Sequence, residues 1–317
     1  MRTLLLTLLV ACGSSPSMSG DHNPDAAHDP LGDSSIAGPD GSVVAGNLTV
    51  FTIVLENHDY KEIIGSANAP YVNSLLTQGA LATAYKDTNH PSLPNYLHLI
   101  SGADQYPGFV DLDPTIAPFF PANQPNLGTQ LEAAGITWRS YQESMPSPCA
   151  LTSSGHYAPK HDPFLYFKDQ QMGASNLCAT TNVAYSQFAA DLAGGTYRYM
   201  WITPDLVDDG HDPTSNPVAA LTASDTWLSV NVPKILASDA YQAGGVLFIV
   251  WDEAEGRAGD DPNLIPMIVL AKHLAHPGTT NATPFTHSSY LATVEDLFHL
   301  PRLATVTSTP SLMPLMQ

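Results

Sequence analysis

Positive charge is scarce in this chain. Of 317 residues, Lys and Arg account for 11 against 30 Asp and Glu, a formal net charge of −19 at pH 7. A nucleic-acid backbone is bound by a basic surface that replaces its counterions. No such surface can be assembled here, so DNA and RNA are set aside as partners. Charged residues of both signs reach only 13%, whereas hydrophobic residues make up 44%. That composition supports a real core in one large domain or two small ones. The acidity itself has two readings: solubility of an exported protein, or carboxylates gathered to hold metal. No internal repeat is present.

Long apolar runs are also missing. The run at the N-terminus, Leu4–Ala11, follows Met1-Arg2 and has about 8 residues where a membrane span needs about 20. A short positive start and a short apolar stretch read as an export signal over residues 1–11. The stretch closes in Leu9-Val10-Ala11-Cys12-Gly13. Small residues before a cysteine resemble a bacterial lipoprotein box, which implies a lipid on Cys12 and a place on a cell-envelope membrane, periplasmic or at the surface. Cysteine is rare, at three. With Cys12 so assigned, Cys149 and Cys178 remain. In an oxidising compartment they form one disulfide across a loop of about 30 residues, stabilising by about 3 kcal/mol on a chain-entropy account, or they stay as two free thiols.

Residues 12–46 are rich in Ser, Pro, Gly, Asp and His without an apolar period, and read as a flexible tether. The folded domain is expected over 47–317. Thr49–Leu55, Gly245–Trp251 and Pro266–Ala271 read as strands buried on both faces. Thr137–Tyr141 and Tyr197–Thr203 read as further strands. Helices are expected over Ala69–Gly79, Ser92–Ser101, Val218–Leu236 and His287–Leu300, with Pro233 kinking or breaking the third. Alternation of this kind predicts an α/β domain with a mainly parallel sheet. Residues 103–176, Pro-rich and aromatic, are expected to be loops or a small cap. The four tryptophans, Trp138, Trp201, Trp227 and Trp251, read as core.

Three of the expected strands run into polar residues: Glu56-Asn57, Asp205, and Asp252-Glu253. In open α/β sheets ligands bind beyond the carboxyl ends of the strands, so these side chains should converge. Neighbouring carboxylates repel unless a cation neutralises them, and several oxygen donors suit a divalent metal. Taken singly each is an ordinary turn or cap; together they favour a metal. Ser92 lies between Pro91 and Pro94 at a helix start. It reads equally as a helix cap or as a nucleophile beside backbone N–H groups that favour an anion.

The blocks ENHDY, APYVNSL, TNHPSLPNYLHLISG, YQESMPSPC, KHDPF, ITPDLVDDGHD, IVWDE and FTHSSYLATVEDLF follow one another across the chain. Their order closely resembles the bacterial phosphoesterase family, which holds exported acid phosphatases and phospholipases C of the alkaline phosphatase superfamily. The resemblance implies an alkaline-phosphatase-like fold. It implies that Glu56, Asn57, Asp252 and Glu253 bind one divalent ion (Ca, Mg, Mn or Zn), with Ser92 as both nucleophile and fifth ligand. Asn95 would donate to a phosphate oxygen. His161 would touch phosphate or protonate the leaving group, and His211 and His287 would supply further active-site groups. Asp205 and Asp209 stand as a second metal site or as a solvated acidic loop with Asp208 and Asp212, and His90 as a supporting or merely structural group. His58, His98, His156, His273, His276 and His299 are assigned to structure or surface. Two departures matter: Glu253 stands where some relatives carry Asp, and Lys160-His161 stands where some phospholipases carry two histidines.

Residues and resemblance together imply a metal-dependent phosphoric ester hydrolase acting on phosphate monoesters through a phosphoserine at Ser92, with His161 or His211 as the proton donor; the resemblance is to small secreted acid phosphatases, including ones that act on phosphoinositides. The alternatives are a phospholipase C or other diesterase at the same site, and a lipoprotein that binds a phosphorylated ligand without turnover.

Overall fold

A computed structural model of the chain describes residues 48–103, 110–115, 124–169, 177–211, 216–256 and 263–317, with two short strands, β1 (Ile36–Ala37) and β2 (Val43–Val44). All lie in the second of two compact units, Ser35–Gln317. The expected signal peptide, the lipidated Cys12, most of the tether and Asp212 lie outside the described residues. Within the expected tether, Ile36 and Ala37 pair antiparallel with Val44 and Val43.

The two most apolar runs make the centre of the sheet. β3 (Val50–Leu55) and β9 (Val246–Trp251) are buried along their whole length and pair in parallel from Val50 and Val246 to Leu55 and Trp251. Runs without a polar face must be covered on both sides, which places them in the middle of an α/β sheet. The sheet has eight strands in the order β11–β4–β10–β9–β3–β8–β6–β7. The others are β4 (Ala80–Ala82), β6 (Trp138–Gln142), β7 (Asn182–Ala184), β8 (Tyr199–Thr203), β10 (Met267–Ala271) and β11 (Thr280–Asn281). From β9 through β3, β8 and β6 to β7 all pairings are parallel. β10 runs antiparallel to both β9 and β4. Helices flank the sheet, and a separate parallel pair joins β5 (Tyr85–Lys86) to β12 (Phe285–Thr286). Thr52 Oγ1, inside β3, meets the Tyr290 hydroxyl at 2.6 Å, and Tyr199 meets the same hydroxyl at 2.9 Å. These buried polar atoms are thereby satisfied under the sheet. All four tryptophans are buried.

Several expectations are adjusted. The Ala69–Gly79 helix is Pro70–Leu75. Gln78 N and Gly79 N both bond to Leu75 O and close the chain into β4. Gly79 lies where a Cβ would come within 2.7 Å of Val269 O, so this close crossing requires glycine. Pro233 does not break its helix, which runs Pro217–Leu236. The proline falls in the last turn, where only one helical donor is lost, and buried Leu228, Val232 and Ile235 hold the segment down. The His287–Leu300 helix ends at Leu297. The stretch expected as loops or a cap contains the Leu127–Ala133 helix, and the strand expected over Thr137–Tyr141 within it is β6, a full member of the sheet. Cys149 and Cys178 form a disulfide with Cα atoms 5.3 Å apart.

Candidate active site

Parallel pairing of β3, β8 and β9 brings their carboxyl ends to one edge. β3 delivers Glu56 and Asn57, and β9 delivers Asp252 and Glu253. The Asn57 backbone adopts φ +24°, the left-handed region in which asparagine is tolerated better than most residues. The strand turns there, and Asn57 N donates to Asp252 Oδ1 at 3.1 Å, locking the two strand ends together. Asp209, beyond β8, ties in the third. Its carbonyl accepts from Glu56 N at 2.9 Å, and its Oδ1 accepts from His211 N at 2.9 Å.

Ser92 faces this edge. The N-cap position of the Ser92–Ser101 helix belongs to Pro91, and no side chain caps the helix. Ser92 is the first helical residue and is buried. Its Oγ lies 3.0 Å from Glu56 Oε2, 3.1 Å from Glu253 Oε1 and 3.5 Å from Asn57 Oδ1. The capping reading therefore fails: the hydroxyl is aimed at two carboxylates and a carboxamide. Asn57 Nδ2 completes the cluster by donating to Glu253 Oε1 at 3.1 Å and to Glu255 Oε1 at 3.0 Å.

The electrostatics of this cluster are unbalanced. Burial, then the neighbouring Glu56 and Glu253, pushes the Asp252 carboxyl well above its ordinary range. Burial and Glu56 push Glu253 up as well. Burial also acts to raise Glu56, but His161 and Lys160 outweigh it and hold that carboxyl down. His161 is itself lowered to about 4, by burial first. Lys160 is held above its ordinary range because Glu56 and Asp111 outweigh the cost of its burial.

Whether a metal would fit can be tested on the oxygens. Asp252 Oδ2 and Glu56 Oε1 are buried without a hydrogen-bond partner. His161 Nε2 stands 3.1 Å from Glu56 Oε1, yet neither atom makes a hydrogen bond. Three buried carboxylates, a carboxamide oxygen and a hydroxyl with unsatisfied acceptors form a donor set that suits a divalent cation, and the residues fit. Among the described residues, the one trio of acidic, His or Cys side chains whose ligand atoms all lie within 4.8 Å of one another is elsewhere: Glu143, Asp205 and Asp208. Asp205 belongs to that cluster, with Ser144 Oγ donating to its Oδ2 at 2.5 Å. Asp205 and Asp209, expected to act together, are thus divided: Asp209 Oδ2 lies 3.8 Å from His161 Nδ1, in the wall of the Ser92 site.

The remaining expected residues take specific places. The Asn95 carboxamide is engaged by its own loop. Its Oδ1 accepts from Thr88 N, Thr88 Oγ1 and Asn89 N, and one Nδ2 hydrogen is given to Asn89 O at 2.7 Å. It shapes the loop ahead of Ser92. His161 is stacked on Tyr96, ring centroids 5.1 Å apart. Burial, first, lowers its pKa to about 4, against the raising effect of Glu56. His287 lies behind the site. Its Nε2 meets Asp252 O at 2.7 Å and its Nδ1 meets the Tyr85 hydroxyl at 3.0 Å, so both ring nitrogens are committed to positioning the end of β9. His90 places Nδ1 against Glu253 Oε2. His211 is one-third exposed, with Nε2 3.6 Å from Glu255 Oε1. His58 and His98 are buried structural residues, paired with Glu62 and with Thr88 and Ser288.

Sequence reasoning missed several residues. Asp87 Oδ2 accepts from Ala254 N, and Asp59 Oδ1 accepts from Glu255 N and Gly256 N. Both hold the turn after Glu253. Asp111 Oδ1 accepts from Leu93 N at 3.0 Å, and its Oδ2 pairs with Lys160 Nζ at 2.7 Å. Nothing in the linear order of the chain signals those partnerships.

The Phosphoesterase family profile matches residues 66–301. A phosphatidylinositol-3-phosphatase of Mycobacterium tuberculosis is 32% identical over 264 residues, covering 82% of this chain and 80% of that protein. A probable acid phosphatase of Kluyveromyces lactis is 28% identical over 264 residues, 80% of this chain but 58% of that protein. A solved alkaline phosphatase superfamily protein from Vibrio parahaemolyticus superposes with a TM-score of 0.59 at 12% identity, covering 85% of this chain and 70% of that one. A phosphonate monoester hydrolase from Silicibacter pomeroyi superposes at 0.55 with 11% identity, covering 85% and 76%. At such identities the structures speak for the fold alone. The chain belongs to the Phosphoesterase family, carries the fold of the alkaline phosphatase superfamily, and is a phosphoric ester hydrolase.

Proposed function

We propose that this chain hydrolyses phosphate monoesters by a metal-dependent reaction through a phosphoserine at Ser92. The observation that carries the reading is the Ser92 hydroxyl on the first residue of a helix, within 3.0–3.5 Å of Glu56, Asn57 and Glu253. Glu56, Asn57, Asp252 and Glu253, with Ser92, would hold a divalent ion, which when bound lowers the serine's pKa and offsets charge on phosphate oxygens. Ser92 Oγ forms a bond to phosphorus as the ester bond to the leaving oxygen breaks, and the serine proton passes to a carboxylate it already faces. His211, partly exposed and beside Glu255, gives a proton to the leaving alcohol. Water then attacks the phosphoserine, His211 takes one of its protons, and Ser92 recovers its own as phosphate departs.

The substrate class follows the same reading. The Mycobacterium tuberculosis relative is named for a phosphoinositide, and a monoester on such a headgroup is the proposed substrate. A lipid on Cys12 would hold the domain at the membrane where that substrate lies. The test is hydrolysis of an aryl phosphomonoester beside an aryl phosphocholine, for wild type and Ser92→Ala, with and without chelator, from about pH 5 to 8, where a histidine acid titrates. Monoester cleavage lost on both Ser92→Ala and chelation is expected. Full activity of Ser92→Ala would remove the nucleophile from the scheme, and preference for the choline diester would move the chain to the diesterase reading.

A further inference from the structure

The start of the Ser92–Ser101 helix already carries an anion, supplied by the chain itself. Asp111 Oδ1 accepts from Leu93 N at 3.0 Å, and Oδ2 accepts from Lys160 Nζ at 2.7 Å. Leu93 directly follows the proposed nucleophile. The next residue, Pro94, has no N–H to offer. Lys160 is adjacent to His161, whose buried Nε2 makes no hydrogen bond and lies 3.1 Å from Glu56. A helix N-terminus and an ammonium are the donors a phosphate oxygen seeks. Here a carboxylate bridges both of them.

We infer that Asp111 is a built-in competitor of phosphate: its carboxylate occupies the anion contacts of Leu93 N–H and Lys160 Nζ, and substrate phosphate takes those contacts by displacing it. The inference rests on the phosphatase reading of the Ser92 site. Asp111 is on an arm held to the domain. The Tyr166 hydroxyl donates to Leu112 O at 2.5 Å, and Ser153 donates through N and Oγ to the Asp113 carboxylate at 2.9 and 2.8 Å. Leu112 and Asp113 are therefore held in place, and displacement needs only the Asp111 side chain to rotate away. Its charge also reaches the rest of the pocket, acting to raise both His161 and Glu253. The consequence is weaker holding of anions in general. Substrate binds less tightly than it would in a vacant cradle, and product phosphate is expelled as the carboxylate returns.

The alternative is structural: Asp111 orients Lys160 and ties down the helix start, and phosphate binds through other groups. The two accounts predict opposite signs. The probe is inorganic phosphate, bound to the metal-loaded full chain and followed by calorimetry, with competitive inhibition of aryl phosphate hydrolysis alongside. Asp111→Asn keeps an oxygen acceptor for Leu93 N–H and removes the charge facing Lys160. If Asp111 competes, the phosphate dissociation constant and KM both fall in Asp111→Asn by about tenfold, the scale of one charge-assisted hydrogen bond. Adding Lys160→Gln to Asp111→Asn then reverses that gain. An unchanged or weakened phosphate affinity in Asp111→Asn overturns the inference. Calorimetry reads the competition whether or not turnover is seen, so a wild type that binds phosphate but hydrolyses no ester sinks the proposed function and leaves the Asp111 result to stand or fall separately.

Discussion

Ser92 sits one residue past the cap position of its helix, and that single step separates a capping hydroxyl from one aimed at Glu56 and Glu253. The neighbouring histidines divide by burial. His161 is sealed between Tyr96, Glu56 and Asp209, with its pKa lowered to about 4 by burial first, whereas His211 keeps contact with water and with Glu255. If His211 protonates the leaving group, His211→Asn should lower kcat by about a hundredfold on an alkyl phosphate, whose alkoxide needs a proton. It should change a nitrophenyl phosphate far less, because that leaving group departs unprotonated. Equal losses on both substrates would remove His211 from the acid role. At this scale the sequence was informative about residue type. Glu56, Asn57, Asp252 and Glu253 were legible because polar residues close buried strands, and all four stand around Ser92. The partners of Asn95, His161 and His287 were not legible. What a carboxamide or imidazole does depends on which partners already occupy it, and those partners come from remote segments, as with Tyr85 and Asp252 O for His287.

The helix that begins with Ser92 is fixed at its other end by Gly102. Gly102 has φ +61°, and its N–H closes the helix on His98 O at 2.8 Å. A Cβ there would overlap Val306 Cγ1 and lie 2.9 Å from Thr305 Oγ1. Gly102→Ala should therefore destabilise by about 1–3 kcal/mol, through positive φ and overpacking together, read as a shift in the urea midpoint at constant m-value. A loss below about 0.5 kcal/mol, within the range of an ordinary surface change, would show that the 305–306 segment yields freely. The extent of this helix, Ser92–Ser101, like the apolar runs of β3 and β9, was legible in the chain. The direction of β10 was not. Its apolar run resembles that of β9, and a run buried on both faces reads the same in either orientation. Pairing with β9 and β4 made it antiparallel, so its carboxyl end does not join those of β3 and β9.

On the scale of the whole molecule, stability should carry the mark of Asp162. This carboxyl is fully buried beside Ser140, whose Oγ donates to it at 3.0 Å. Burial raises its pKa from the usual 3.8 to about 8. Between those values the folded protein keeps a proton that the unfolded chain releases. The contribution is complete below about pH 4 and is lost as pH rises through about 8, so stability should fall across that window. Asp162→Asn cannot titrate and should flatten the slope. Urea midpoints of both proteins at pH 5 and pH 8 read this directly, and an identical difference between them at the two pH values would exclude Asp162 as the cause.

The sequence by itself determined the class of fold, because uninterrupted β-branched runs alternating with helical segments have few ways to hide from water. It also determined the chemical class, because strand-ending carboxylates and a serine at a helix start occur in an order shared with a family of phosphoesterases. Only the tertiary structure decided which groups are engaged and which are poised. It joined Cys149 to Cys178, moved Asp205 into a separate acidic cluster with Glu143 and Asp208, and set Asp111 across the donors beside Ser92. The physical reason is range: hydrophobic periodicity and helix stops act over a few residues, whereas hydrogen-bond occupancy and burial depend on partners that meet only when the sheet assembles.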